Sequence, residues 1–370
     1  MKSFVLTTSL QLVAVFLFLA GSSPLLAQPD TYRLQTVVEG IPVPWGMVWL
    51  DNGDMLVSNR AGELYRVSDG NIGQPLVGTP TVHANGQGGL LDIHLHPDYP
   101  ATDWIYFTYS SREGEGQGSH TALMRARLAG NTLIDKEVLY KGEGNTTRGQ
   151  HYGSRIAFDD QGYVYFSIGD RGAHFENAQQ LDRDGGKIYR LHDDGRIPAD
   201  NPFSIPDGTR SAVFSYGHRN PQGMDRHPVT GQIWAHEHGP RGGDEVNIIQ
   251  AGKNYGWPII GYGINYNGQP LAVATQREGV EQPVWYWDPS IAPSGMTFIS
   301  SDRYPRWQGK LLVGSLKFAH LVLLELDGNT VTGAETLFEG IGRTRNVRQG
   351  PDGYLYVATE GKGIIRIIPE

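Results

Sequence analysis

One short pattern recurs six times along the chain and limits the folds open to it. Each copy is a turn rich in Gly, Asp or Pro, followed by a short run of aromatic and β-branched residues. The strand-like parts of the copies are residues 55–57, 104–107, 163–166, 233–234, 311–313 and 354–357. Further strand-like segments follow three of them, at 62–67, 186–191 and 363–367. Each copy predicts the start of a buried inner or middle β-strand.

Repeated four-stranded units of roughly 40 to 50 residues are typical of a β-propeller. Glycine, at 49 of 370 residues, favours tight turns, and no segment longer than one turn has helical periodicity. The sequence therefore predicts an all-β fold, a six-bladed β-propeller of four-stranded antiparallel blades. Ring closure would need residues 32–38 to complete the blade that residues 354–368 leave unfinished. A large β-sandwich or a two-domain all-β protein is the alternative.

The N-terminal segment resembles a signal peptide. Lys2 precedes an apolar run at residues 10–20, and small residues follow up to Ala27. We predict a signal peptide over 1–27, a single propeller catalytic domain over 28–370, and export to the periplasm or the outside. The apolar run is short for a membrane span, so no stable membrane insertion is expected, although an uncleaved anchor is the alternative.

Charge and cysteine content exclude several classes of function. The formal net charge is −8 and no basic run is present, which argues against nucleic acid and anionic membranes as partners. The chain has no cysteine, so disulfides, thiol catalysis and zinc–thiolate sites are excluded.

Residues 215–257 combine polar side chains with many glycines and prolines. The turn at Gly239 and Pro240 would present backbone carbonyls, and Asp244 with Glu245 would supply carboxylate oxygens. Oxygen ligands of this kind suit Ca²⁺ better than transition metals. His236 and His238 lie two apart without a third ligand and are interpreted as structural.

In a propeller, we expect the loops entering and leaving the inner strands to converge on one end of the central channel. His151 lies in a glycine-flanked loop before one such strand, where a neutral imidazole could serve as a general base. Lys317 would leave an inner strand toward the channel. Four cations would then surround one pocket and favour an anionic cofactor: Arg219, Lys317, Arg343 and Arg345. The residues alone thus predict a propeller that binds an organic anion with Ca²⁺ and a histidine base.

These residues also resemble a known family, the soluble quinoprotein glucose dehydrogenases and aldose sugar dehydrogenases. The resemblance runs from about Pro44 to Ile368. It rests on Gly-Gln-Gly-Gly-Leu-Leu-Asp, Gln-His-Tyr-Gly-Ser-Arg, Ser-Ile-Gly-Asp-Arg-Gly, Gly-His-Arg-Asn-Pro-Gln-Gly, His-Gly-Pro-Arg-Gly-Gly-Asp-Glu, Asn-Tyr-Gly-Trp-Pro, Gly-Ser-Leu-Lys and Arg-Thr-Arg-Asn-Val.

The resemblance implies a propeller that holds pyrroloquinoline quinone (PQQ) and Ca²⁺ and oxidises aldose sugars at C1 to the aldonolactone. It implies that His151 takes the hydroxyl proton while a hydride passes to the quinone, with calcium as Lewis acid. Residues implied to bind the cofactor are Gln87, Arg219, Asn220, Lys317, Arg343 and Arg345. Residues implied to bind calcium are Gly239 and Pro240 beside the cofactor, and Glu245 and Tyr255 at a second, structural position. The sequence leaves the electron acceptor open.

Two positions depart from the soluble glucose dehydrogenases. Gln150 stands where those enzymes have an acidic residue before the histidine, so that position supplies no carboxylate to orient His151. Glu360 stands where they have an aspartate. Two other functions stay open on the residues alone. They are a calcium-dependent propeller hydrolase such as a lactonase, and a non-catalytic sugar-binding propeller.

Overall fold

The structure is a computed structural model that describes Met1 and residues 31–204, 211–272 and 274–370. The predicted signal peptide lies outside the described residues, apart from Met1. Within the described ranges, no helix has the length and apolar character needed to cross a membrane.

The strands form six antiparallel sheets of four strands each, which confirms the six-bladed propeller. The chain starts with β1 (Tyr32–Val38) and then builds blades 1 to 3 in order. Blade 1 contains β2 (Pro44–Trp49), β3 (Met55–Asn59), β4 (Leu64–Ser68) and β5 (Asn71–Pro75). Blade 2 contains β6 (Leu90–Leu95), β7 (Ile105–Ser111), β8 (His120–Ala129) and β9 (Thr132–Lys141). Blade 3 contains β10 (Ile156–Phe158), β11 (Val164–Ile168), β12 (Lys187–Leu191) and β13 (Val213–Tyr216), with the single-turn helix α1 (His174–Asn177) after β11.

The second half of the chain forms blades 4 to 6. Blade 4 contains β14 (Pro221–Arg226), β15 (Ile233–Glu237), β16 (Asp244–Ile248) and β17 (Trp285–Trp287). Blade 5 contains β18 (Pro293–Phe298), β19 (Leu311–Ser315), β20 (Leu321–Asp327) and β21 (Thr330–Leu337). Blade 6 contains β22 (Thr344–Gln349), β23 (Leu355–Thr359) and β24 (Gly363–Pro369).

The two ends of the chain close the ring as predicted. Strand β1 pairs antiparallel with β24, in register from Tyr32 opposite Pro369 to Val38 opposite Ile364, and so becomes the outermost strand of blade 6. This pairing excludes the alternative of a sandwich or of two separate domains.

The six sequence copies form the second strand of every blade. All residues of β3, β7, β11, β15, β19 and β23 are buried. A second strand has a strand on each side and a neighbouring blade over each face, so a nearly continuous apolar run is stable there. The core lies between blades; for example, Leu56 of blade 1 and Phe107 of blade 2 belong to one cluster.

Glycine has a conformational role in the turns between innermost and second strands. In five blades this turn contains a glycine with positive φ, a region that other residues rarely adopt. These glycines are Gly53 (88°), Gly162 (78°), Gly231 (71°), Gly309 (78°) and Gly353 (78°).

Strand direction determines which loops meet at one end of the channel. Because neighbouring strands are antiparallel, the loop entering each innermost strand lies beside the loop leaving the second strand of the same blade. Loops that leave the innermost strands lie at the opposite end, so the expectation that they contribute to the site is wrong. We call the first end, where residues 149–155 enter β10, the site face.

Candidate active site

His151 lies at the site face in the loop that enters β10, and its position is fixed by two predicted cofactor residues. The His151 backbone N–H donates to Gln87 Oε1 at 2.9 Å. The Gly153 N–H donates to Asn220 Oδ1 at 3.0 Å. Gln87 and Asn220 therefore bring blades 2 and 4 against the loop that carries the histidine.

A carboxylate orients the His151 ring, although Gln150 is not acidic. His151 Nδ1 lies 2.6 Å from Asp170 Oδ1, in the loop that leaves β11 of the same blade. Because an ionised carboxylate only accepts, Nδ1 carries the proton and Nε2 is the acceptor. Asp170 belongs to the motif Ser-Ile-Gly-Asp-Arg-Gly, but the sequence alone predicts no role for it. The signal that would have found it is the adjacency of the two loops of blade 3.

Asp170 accepts three further hydrogen bonds. Its Oδ1 accepts from the Gly172 N–H at 2.7 Å, and its Oδ2 accepts from His174 Nδ1 at 2.6 Å and Trp257 Nε1 at 2.8 Å. Burial raises the pKa of Asp170, but the hydrogen bonds from the two histidines outweigh burial and hold the pKa well below its usual range. Asp170 is therefore an anion.

The His151 ring is buried, with its side chain 8% exposed. Burial is the main cause that lowers its pKa, and the positive charge of Arg219 adds to it, while Asp170 opposes both. The imidazole is accordingly neutral near physiological pH, the form that accepts a proton.

Arg171, for which the sequence alone likewise predicts no role, holds the backbone of the His151 loop. Its guanidinium lies 3.5 Å from the Tyr152 ring centroid. It donates to the carbonyls of Gln150, of Arg148 at 2.9 Å and of Ser119 at 3.4 Å. The pair of residues 170–171 thus fixes both the ring and the backbone of the histidine.

Arg219 lies beside His151 and is 5% exposed. Its Nη1 donates to the carbonyls of His238 and Gly239, both at 3.0 Å. Within the described part of the chain, its Nε is buried without a hydrogen-bond partner, and so are Nδ2 of Asn220 and of Asn346. Buried donors normally have partners, so these three donors at the site face are available to a bound acceptor.

Arg343 and Arg345 converge as predicted, but on a carboxylate of the protein. Glu360 Oε2 accepts from Arg343 Nε at 2.9 Å and Glu360 Oε1 accepts from Arg345 Nε at 2.7 Å. Burial lowers the pKa of Arg345 to about 10, which leaves it charged. Glu360, the departure noted in the sequence, therefore balances part of the positive charge in this cluster.

Lys317 is exposed at the site face, and its ammonium lies 4.7 Å from the Phe318 ring centroid. It follows β19, which is the second strand of blade 5, so the expectation that it leaves an inner strand is wrong. Lys317 nevertheless lies at the site face, because the second strand of each blade ends there.

The predicted calcium residues differ in whether their oxygen atoms are already hydrogen-bonded within the protein. The Gly239 carbonyl already accepts from Arg219. The carboxylate oxygens of Asp244 already accept four hydrogen bonds. The donors are Gly239 N, Ser290 Oγ, Ile291 N and Ala292 N, at 2.7 to 2.9 Å. Asp244 therefore stabilises the loop and supplies no free oxygen, contrary to the sequence expectation.

Glu245 faces a second carboxylate. It is the cross-strand partner of Glu237, and burial with the charge of Glu237 raises the pKa of Glu245 to about 8. Both line a cavity of about 10 Å³ together with Tyr255 and Gly239, which is the size of one water or ion. Among the described residues, no three His, Cys, Asp or Glu side chains form a metal cage, so any ion here would also need backbone carbonyls.

His236 is buried and His238 is half-buried, and each ring lies against a backbone carbonyl of blade 5. His236 Nε2 lies 3.4 Å from the Gly295 carbonyl and His238 Nε2 lies 2.6 Å from the Pro293 carbonyl. Burial lowers the pKa of His236 to about 3, which keeps it neutral.

Together these features define a class of protein: a six-bladed propeller with a carboxylate-oriented, neutral histidine beside a buried arginine. Comparisons give the family. The pattern of the Glucose / Sorbosone dehydrogenase family matches residues 41–366. The chain belongs to this family and is an oxidoreductase.

Individual relatives cover almost the whole chain. Aldose sugar dehydrogenase YliI of Escherichia coli (strain K12) is 42% identical over 346 residues, which are 92% of this chain and 93% of the relative. The apo-form structure of the soluble aldose sugar dehydrogenase from Escherichia coli has a TM-score of 0.86 at 40% identity and covers 92% of this chain and 100% of that chain. The PQQ-bound aldose sugar dehydrogenase from Streptomyces coelicolor has a TM-score of 0.74 at 28% identity, with coverage of 92% and 99%.

Proposed function

We propose that this chain is a PQQ-dependent aldose sugar dehydrogenase that oxidises aldoses at C1 to the aldonolactone, with His151 as general base. The observation that carries the proposal is a neutral, carboxylate-oriented histidine beside Arg219, whose buried Nε has no partner among the described residues. The relative from Streptomyces coelicolor, which was solved in a PQQ-bound form, supports the choice of cofactor.

The residues present fit a tricarboxylate such as PQQ. Nε of Arg219 and Nδ2 of Asn220 are buried donors that lack partners in the described chain, and carboxylate oxygens would accept from them. Arg345 and the exposed Lys317 would add positive charge, and Arg343 and Gln87 would complete the set. When bound, PQQ supplies a quinone that accepts the hydride from the sugar.

His151 would take the proton of the sugar C1 hydroxyl on Nε2, because Nδ1 donates to Asp170. The Asp170 anion would stabilise the imidazolium that forms and prevent the ring from rotating. A positioned general base of this kind contributes about 10²- to 10⁴-fold to the rate.

We also propose two calcium positions. The first would use the carbonyls of Gly239 and Pro240, although Arg219 shares the Gly239 oxygen. The second would use Glu245 and the Tyr255 carbonyl, where a divalent cation would relieve the repulsion between Glu245 and Glu237.

Reconstitution tests the proposed function. PQQ and Ca²⁺ are added to the purified protein separately and together, and reduction of an artificial dye is measured with glucose and a panel of aldoses. We expect dye reduction with both additions, and cofactor absorbance that stays with the protein through gel filtration. Lactone hydrolysis without dye reduction would favour the hydrolase, and sugar binding without either reaction would favour the non-catalytic propeller. Either outcome would contradict the proposal.

Thermal unfolding tests the second calcium position. Ca²⁺ at about 100 times its Kd should stabilise the protein by about 2.7 kcal/mol, because it binds only the folded state. Glu245→Gln should lose the part of the calcium gain that the second position contributes, whereas Glu278→Gln, at an exposed carboxylate outside the cavity, should keep the whole gain. An equal calcium response in both variants would show that Glu245 is not a ligand.

A further inference from the structure

Asp170 is shared by two histidines that differ in exposure. His151 contacts Oδ1 and His174 contacts Oδ2, both through Nδ1 at 2.6 Å. The side chain of His174 is 44% exposed, against 8% for His151. The His174 ring also packs edge-on against Trp257, with centroids 5.1 Å apart, and Trp257 donates to the same Oδ2. His174 is therefore held in place while its outer side faces solvent.

We propose that His174 is a positioning residue that sets the proton affinity of His151 through the shared carboxylate. The inference rests on the proposed function only for its catalytic consequence, since the coupling itself is a property of the His151–Asp170–His174 group. His174 lies outside the sequence motifs that resemble the family.

Two effects of His174 act in the same direction. Its N–H donates to Asp170 and withdraws negative charge that would otherwise stabilise the imidazolium of His151. A positive charge on His174 also opposes protonation of His151, because the ring centroids are only 6.4 Å apart. Both effects keep His151 in the neutral form, which is the form that a base requires.

Substitution of His174 leaves the other charged residues near His151 and His174 in the chain. Blade 4 contributes Arg219, which lowers the pKa of His151, and His238, whose own pKa burial holds well below its usual range. The loop of blade 3 contributes Arg148, Arg171 and Glu176.

Two substitutions separate the donor, the charge and the bulk of the His174 side chain. His174→Phe keeps a ring that excludes water but removes both the donor and the charge. His174→Asn keeps an amide donor for Asp170 but removes the charge. His192→Ala is the control, because His192 follows β12 and lies at the end opposite the site face.

The titration of His151 is followed by NMR in protein labelled at histidine, with its signal assigned from a His151→Ala sample. His174→Phe should raise the proton affinity of His151 about three- to tenfold. His174→Asn should give a smaller rise, and His192→Ala should give none. In the reconstituted enzyme, the acid limb of the kcat/KM profile should move to higher pH in the same order.

The outcomes distinguish this inference from the proposed function. If His174→Phe leaves the NMR titration of His151 unchanged, the coupling does not exist, whatever the variant does to activity. If the titration shifts but the acid limb stays fixed, His174 does not act on the catalytic base and the positioning role is overturned. An active His151→Ala enzyme would instead refute His151 as the base and leave the measured coupling in place.

Discussion

Replacing His151 by alanine should lower kcat at least 100-fold while PQQ binding is retained. The expected loss follows from removal of Nε2, the acceptor that Asp170 orients, and a positioned base contributes about 10²- to 10⁴-fold. Cofactor binding should survive because Gln87 contacts the backbone N–H of residue 151 and not its ring. The substitution also leaves the hydrogen-bond donors of Arg219 and Arg345 in place.

Steady-state kinetics with saturating PQQ, Ca²⁺ and sugar measure kcat, and titration of cofactor absorbance measures PQQ affinity. His151→Asn is a useful companion, because φ at this position is 54° and asparagine tolerates that conformation well. It should be as inactive as the alanine variant. A variant that keeps more than a tenth of the wild-type kcat would show that the base is another group.

Much of the fold can be predicted from the sequence because each blade repeats the same buried strand and the same kind of turn before it. A buried second strand needs an apolar run, and the turn before it usually needs a glycine with positive φ, as at Gly162 before β11. Antiparallel order within a blade follows from short turns. The three-residue strand β10 has no such signature of its own, and only the glycine-flanked loop before it indicates its position.

The candidate site was predicted less completely, and the reasons are geometric. Asp170 follows His151 by 19 positions, and only the pairing of loops within blade 3 makes them neighbours. Asp244 and Glu245 are adjacent in sequence, and the sequence predicts oxygen donors at both positions. Successive side chains of a strand point to opposite faces, so Asp244 stabilises a loop while Glu245 faces Glu237. The sequence indicates the residue types, whereas strand pairing determines which of their atoms remain available to bind a ligand.

The sequence likewise does not show which groups the two arginines at positions 343 and 345 contact. Arg343 and Arg345 were expected to hold an anionic ligand, and the structure shows that they first hold Glu360. One carboxylate cannot balance two guanidinium groups, so the cluster of Arg343, Arg345 and Glu360 keeps a net positive charge at the site face. An anionic cofactor remains the natural partner of that excess.

Asp92→Asn should destabilise the protein by about 3 to 5 kcal/mol, because it leaves the Arg155 charge buried and uncompensated. Asp92 Oδ1 lies 2.9 Å from Arg155 Nη1, and their side chains are 0% and 2% exposed. Burial lowers the pKa of Arg155 only to about 10, so it stays charged at neutral pH.

This one guanidinium connects five blades across the central channel. Arg155 of blade 3 pairs with Asp92 of blade 2 and stacks 4.2 Å from the Trp45 ring of blade 1. It also donates to the Gln222 carbonyl of blade 4 at 2.9 Å and to the Arg345 carbonyl of blade 6 at 3.2 Å. Loss of the ion pair should therefore loosen the whole ring and not one blade.

Urea unfolding measures the effect, with Glu370→Gln as the control, since the Arg33–Glu370 pair is exposed and such pairs are worth about 0 to 1 kcal/mol. Replacing both partners, as Asp92→Leu with Arg155→Met, should recover part of the stability because the fully buried Arg155 charge is then removed. Arg348, which lies 3.6 Å from the same Asp92 oxygen, keeps its charge but is 20% exposed to solvent. If Asp92→Asn unfolds at the same urea concentration as the control, the central ion pair does not hold the blades together. If the double variant is less stable than Asp92→Asn, the hydrogen bonds from Arg155 to blades 4 and 6 would be the larger contribution.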